Sequence, residues 1–207
     1  MINKTDGART ISLGFAEERF PAGIHVCQIF QDDDERQDSL LRFLLAGLQA
    51  GERTSCFSDR ATESIVSEFL GRHGVFCEQA KASGVLTLAG TGEIYFQDGC
   101  FDPERMLRLL AQYHEDSVEQ GYPAARVIGE MSAAVQHTPG GERLLEYESK
   151  VSLLLREHPV TAVCQYDARA FDGATILDIL KVHPLMVVRG SVVHNPFYIP
   201  PEEFLAR

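Results

Sequence analysis

A chain of 207 residues with a formal net charge of −11 lacks the basic excess that a general nucleic-acid or anionic-membrane surface requires. Its 44% hydrophobic and 24% charged residues suit one α/β domain with a sizeable core. No run approaches the roughly 20 consecutive apolar residues of a membrane span, and the opening MINKTDGART has no signal-peptide apolar segment.

In chain order, residues 1–20 read as a polar, loose and flexible arm, and 21–207 as a single domain. The first strand is expected over Ile24–Phe30 (IHVCQIF). The acidic run Asp32–Glu35 follows, then a helix to Ala50 with Leu41, Leu44, Leu45 and Leu48 on one stripe. Gly51 suits that helix as its C′ residue. A second strand covers Arg53–Ser58, and Asp59 or Thr62 caps a helix ending near Gly71. A third strand runs from Val85 to Leu88, with Thr91–Phe96 continuing extended. Asp102-Pro103 opens a helix as N-cap and N1, placing Met106, Leu110 and Tyr113 inward and stopping at Gly121.

The organising stretch is Ala125–Met131 (ARVIGEM). It is a short apolar run bounded by a turn and closed by a carboxylate, as in a parallel strand buried on both faces. After a Thr138–Gly141 break, a helix over 142–157 and a like strand, Thr161–Asp167 (TAVCQYD), follow. A short helix, Ala174–Val182, precedes a hairpin of Leu185–Arg189 and Ser191–His194 around Gly190. Strands alternating with helices of this length give a three-layer α/β sheet, mostly parallel. In such sheets ligands collect beyond the carboxyl ends of the strands.

The loop after the first strand, Gln31-Asp32-Asp33-Asp34-Glu35, has neither the glycines nor the lysine of a phosphate loop. Its carboxylates favour a helix N-terminus and would repel a triphosphate. In the helix 142–157, Glu148 shares an apolar stripe with Leu144, Val151 and Leu155. A carboxylate there must find a partner. Two readings stand: a structural position, either an ion pair with Arg126 as one candidate partner or a boundary site that snorkels, or a ligand site. In the second, Glu148 faces the sheet close to one of the strand tips that carry Glu130 and Asp167, with Tyr147, Tyr166 and His25 adding hydrogen bonds and apolar wall.

His25 and Cys27 point to one strand face and, with Cys164, are the residues able to approach a metal or haem. Cysteine is also an ordinary core residue. The five cysteines, Cys27, Cys56, Cys77, Cys100 and Cys164, contain no CxxC pair, so reduced thiols in a cytoplasmic protein are expected, with no metal and no cofactor. No G-x-S-x-G elbow or H-E-x-x-H helix is present.

Seven segments fall in a familiar order: His25-x-Cys27 with Phe30, Asp98–Pro103, Gly129-Glu130-Met131-Ser132, Tyr147-Glu148, Cys164-x-Tyr166-Asp167, His183-Pro184 and Asn195-Pro196-Phe197-Tyr198. As a set over about 21–205 they resemble the methanogen/methylotroph sensory (MEDS) domain of DcmR-type regulators. The resemblance implies a RecA/KaiC-like fold with a degenerate phosphate loop. It also implies a non-enzymatic sensor of small organic molecules such as hydrocarbon derivatives, joined to a signalling output domain or partner protein in bacterial or archaeal regulation. Ala133 stands where the family commonly has an aromatic. The expected ligand contacts are His25, Cys27, Glu130, Met131, Tyr147, Glu148, Tyr166 and Asp167. A small-molecule ligand, an output partner and a second copy in a homodimer are the expected partners, without direct contact to nucleic acid or membrane. The competing readings are a dimerisation or protein–protein module and a divergent RecA/KaiC-like nucleotide-binding protein.

Overall fold

Two short strands, β1 (Thr10–Ser12) and β2 (Arg19–Pro21), pair antiparallel at the start of the described chain, residues 9–206 of the computed structural model. Ile11 and Leu13 are buried in the core, so the second half of the expected loose arm is a packed hairpin. Residues 1–8 lie outside the described residues. The two apolar side chains alternate across a polar neighbour, a pattern of three residues that is too short to read as a strand without its partner.

Next come β3 (His25–Phe30), α1 (Asp33–Gln49), β4 (Arg53–Phe57), α2 (Glu63–Arg72), α3 (Cys77–Ala82) and β5 (Leu86–Ala89). The helix α4 (Thr91–Tyr95) and then α5 (Pro103–Glu119) lead to β6 (Ala125–Glu130). After two 3-10 turns the chain continues through α6 (Leu144–Glu157), β7 (Val160–Asp167), α7 (Gly173–Lys181), β8 (Leu185–Val188), β9 (Ser191–His194) and α8 (Pro201–Phe204).

The expected caps are present: Asp32 accepts from Asp34 N at 2.7 Å, Thr62 caps α2 and Asp102 caps α5 ahead of Pro103. Thr91–Tyr95 is helical, where an extended run was expected. The Asp59 carboxylate, 32 residues earlier, accepts from Thr91 N at 2.9 Å and from the Thr91 hydroxyl. That cap comes from another loop and leaves no local signal. Nothing local in the sequence marks α3, a six-residue helix without a side-chain cap.

The main sheet has seven strands in the order β5-β4-β6-β7-β3-β8-β9, parallel except for the last pair. Arg189 and Gly190, both at positive φ, make the β8–β9 turn, as a two-residue hairpin of I′ type requires. One face carries α1, α2, α3 and the first hairpin around Val26, Leu40, Phe43, Leu44, Ile128 and Val163. The other carries α5, α6 and α7 around Cys27, Met106, Ala162, Tyr166 and Ile179. The three expected layers are therefore present, and β6, β7 and β3 lie buried between them.

Candidate functional site

Side chains alternate along a strand, and this alternation divides the candidate residues. On β3, His25 and Cys27 face α6, while Val26 and Gln28 face α1. On β7, Cys164 and Tyr166 face α6, while Gln165 and Asp167 face α1. On β6, Gly129 faces α6 and Glu130 faces α1. Of the eight expected contacts, His25, Cys27, Met131, Tyr147, Glu148 and Tyr166 thus lie on one side of the sheet. Glu130 and Asp167 lie on the other, which corrects the expectation that they share a pocket with Glu148.

On the α6 side, Glu148 is 1% exposed. Tyr166 Oη donates to its Oε1 at 2.6 Å. Its Oε2 is 3.3 Å from His25 Nε2, 3.5 Å from His183 Nε2 and 3.7 Å from Cys164 Sγ. The sulfur is itself 3.5 Å from His25 Nε2. The outer nitrogens are anchored: His25 Nδ1 lies 2.9 Å from Ser152 Oγ, and His183 Nδ1 lies 2.8 Å from the Ile179 carbonyl. Asn195 Nδ2 donates to the His183 carbonyl at 2.8 Å, which fixes the loop between α7 and β8. Arg126 is not the partner of Glu148. It lies on the opposite face, buried, with Nε donating to Glu52 at 2.7 Å and Nη1 to the Phe43 carbonyl at 3.1 Å. Gly47 admits it, since a Cβ there would meet its side chain at 2.6 Å.

Electrostatics follow from this burial. Burial pushes the His25 imidazole down to about 4, aided by His183 and opposed by Glu148. For Glu148, burial pushes upward, but hydrogen bonding and charge from His183 and His25 outweigh it and hold the carboxyl below its usual range. Desolvation raises Cys27 to about 12 and raises Cys164 well above its ordinary value. None of the groups around Glu148 is a fixed cation that would balance its carboxylate.

Next to the cluster, between the sheet, α4, α5 and α6, lies a cavity of about 210 Å³. Phe57, Tyr95, Leu110, Val127, Tyr147 and Cys164 are among its walls, and the exposed Leu109 stands at its rim. Gly129 opens the sheet side: a Cβ there would meet the Tyr95 hydroxyl at 2.1 Å. Tyr147 and Cys164 connect cavity and cluster.

On the α1 side, Glu130 and Asp167 are matched by arginines. Arg60 reaches Glu130 at 3.0 Å, Asp167 at 3.0 Å and Asp33 at 2.7 Å. Arg169 bonds Asp167 at 2.7 Å and Asp33 at 3.1 Å. Ser58 donates to Glu130 at 2.8 Å. The Asp167 carboxyl is held below its usual range, first by its bond with Arg169. This network closes the strand tips.

Sequence reasoning left His183, Ser152 and Arg60 out of the site and treated Cys164 only as an approach to a metal. His183 and Cys164 were nevertheless visible as motif members, whereas Ser152 and Arg60 carry no local signal.

The fold and these polar strand ends define the chain as a RecA/KaiC-like α/β domain whose phosphate-loop position is filled by its own carboxylates. A KaiC-like protein of Pyrococcus horikoshii OT3 superposes with TM-score 0.59 at 13% identity, covering 87% of this chain and 80% of that one. The flagellar accessory protein FlaH of Methanocaldococcus jannaschii gives TM-score 0.55 at 10% identity, covering 84% and 76%. The model of the methanogen/methylotroph, DcmR sensory domain matches residues 24–184, so the chain belongs to the MEDS family. It is similar to the transcriptional repressor DcmR of Methylorubrum extorquens (strain DSM 6343 / CIP 106787 / DM4), 26% identical over 160 residues. That match covers 77% of this chain and 57% of the repressor, so the chain spans little more than half the repressor's length. Among the described residues no helix is long and apolar enough to cross a membrane.

Proposed function

We propose that this chain is a non-enzymatic sensory domain that binds a small, largely apolar organic molecule in the cavity between β6, β7, α5 and α6, and reports it to a regulatory output. The observation that carries the reading is the cavity. At about 210 Å³ it lies below the roughly 300–1,000 Å³ typical of drug-sized pockets, a size suited to a molecule of a few heavy atoms. Its walls are mostly apolar, with polar atoms from Arg53, Ser55, Thr87, Tyr95, Tyr113, Tyr147 and Cys164, a mix that suits a small organic compound. Membership of a sensory-domain family and similarity to a transcriptional repressor support a regulatory output, supplied by another domain or a partner protein.

The position of a phosphate loop supports the absence of nucleotide chemistry. At the N-terminus of α1, Asp32 already accepts from the backbone amides of Asp34 and Glu35. Those donors would otherwise meet a phosphate. Asp33 adds negative charge and is engaged by Arg60 and Arg169.

Native mass spectrometry of the full chain, purified without refolding, tests the proposal. A retained organic molecule in the wild type that is absent from Val127→Phe, a cavity-filling change at a lining position, is the expected result. A retained nucleotide, or a retained molecule unaffected by the filling, contradicts it.

A further inference from the structure

We propose that His25, Glu148, Cys164 and His183 form a binding site for one divalent transition-metal ion of the zinc type. The four donor atoms converge from four elements, β3, α6, β7 and the loop after α7, and all lie within 4.8 Å of one another. A tetrahedral zinc with bonds of about 2.0–2.3 Å separates its ligand atoms by about 3.3–3.8 Å. The separations are 3.3 Å for His25 Nε2 to Glu148 Oε2, 3.5 Å for His183 Nε2 to the same oxygen, 3.5 Å for Cys164 Sγ to His25 Nε2 and 3.7 Å for Cys164 Sγ to Glu148 Oε2. These match four of the six edges of such a tetrahedron, and the other two, from His183 Nε2 to His25 Nε2 and to Cys164 Sγ, lie within 4.8 Å.

The hydrogen bonds around the cluster strengthen the assignment. A carbonyl only accepts, so the 2.8 Å contact with Ile179 O puts the proton of a neutral His183 on Nδ1. Its Nε2 then turns a bare lone pair toward the Glu148 carboxylate. That nitrogen is buried and, although 3.5 Å from Glu148 Oε2, makes no well-formed hydrogen bond, and a poorly paired buried polar atom is costly. A cation between the lone pairs resolves the conflict. Ser152 at His25 Nδ1, Ile179 at His183 Nδ1 and Tyr166 on the outer oxygen of Glu148 are the kind of outer partners that orient metal ligands. Two imidazoles, a thiolate and a carboxylate suit zinc and its neighbours rather than calcium or magnesium. Binding releases the Cys164 proton to solvent, since a coordinating thiol is deprotonated. The site stands independently of the ligand reading above, although Cys164 also lines the cavity.

Cobalt(II) titration of the reduced, chelator-stripped full chain tests the site. The expected result is one ion per chain, tetrahedral visible bands and a thiolate-to-cobalt absorption in the near ultraviolet. Cys164→Ser should abolish the thiolate absorption. His183→Gln should weaken binding by at least about 100-fold, and Ser152→Ala by about 10-fold, within the range for outer-shell partners. Cys77→Ser and Cys100→Ser should change nothing. Circular dichroism of each metal-free variant shows whether it folds, and the near-isosteric Cys164→Ser keeps the test open if His183→Gln does not. No cobalt bound by folded wild type, or an unchanged spectrum and affinity in folded Cys164→Ser, overturns the proposal.

Discussion

The two faces of the sheet solve the problem of buried carboxylates in opposite ways. On the α1 face, charges are matched: Glu52 has Arg126, while Glu130 and Asp167 have Arg60, joined by Arg36 at Glu130 and Arg169 at Asp167. On the α6 face, Glu148 meets only imidazoles, a thiol and a phenol, none of which carries a permanent positive charge. A carboxylate with fixed cationic partners is part of the scaffold, and one surrounded by titratable donors has room for a ligand. The face with unmatched charge also holds the apolar cavity.

The largest expected effect comes from breaking a match. Arg126→Met leaves Glu52 buried without its partner and should cost about 3–5 kcal/mol, measured by urea unfolding. Glu148→Gln in chelator-treated protein keeps an acceptor for Tyr166 and removes a charge that has no fixed cationic partner, so it should cost less than Arg126→Met. Equal costs for the two would show that Glu148 sits in a matched ion pair and would erase the contrast between the faces.

A smaller effect is expected at the strand tips. Arg60 is partly exposed, its side chain 41% accessible, so water and salt screen its bonds. Arg60→Ala should cost about 1 kcal/mol, less at high salt. The same network sets the acid response. Asp167 is held below its usual value, so the folded form keeps that carboxylate ionised where the unfolded chain, near pH 3.9, would bind a proton. The contribution is therefore present above that pH and is lost as pH falls through and below it. Unfolding free energy plotted against pH should fall less steeply on its acid side in Arg60→Ala. Identical slopes in variant and wild type would show that Arg60 contributes nothing to holding Asp167, leaving Arg169 as its partner.

The fold was legible because its strongest signals are local: continuous apolar strands, helix caps and the glycine turns. Caps and contacts supplied from a distance were not legible. Asp59 starts α4 from another loop, and Ile11 and Leu13 gain meaning only on packing against the core. For the candidate site, the sequence singled out Glu148, His25, Tyr147 and Tyr166, which lie on one side of the sheet. It misplaced Glu130 and Asp167, because being near strand ends says nothing about faces until the two-residue alternation is followed from His25 to Asp167. Arg126 looked like a partner for Glu148 because both are charges at apolar positions. The sheet stands between them.

The smallest expected effect concerns the thiols. Cys27 is fully buried and its thiol is pushed up to about 12, so alkylation of the native protein should be far slower than after denaturation. Cys164 is half-buried against the cavity, yet burial raises its thiol too, so it should also react slowly. Addition of a cavity ligand should slow Cys164 further and leave Cys27 unchanged. Fast native labelling of Cys27 would mean that the α6 face is open.

The central claim is that the α6-side cavity receives a small apolar molecule. A titration of the full chain with benzene, a probe known to occupy dry apolar cavities of this size range, followed by methyl NMR, addresses it most directly. Saturable shifts at Leu110, Val127 and Val151, together with their loss in Val127→Phe and a benzene-dependent rise in melting temperature in the wild type alone, are the predicted result. Absent or non-saturable shifts at those methyls, or equal shifts in wild type and Val127→Phe, would contradict the claim.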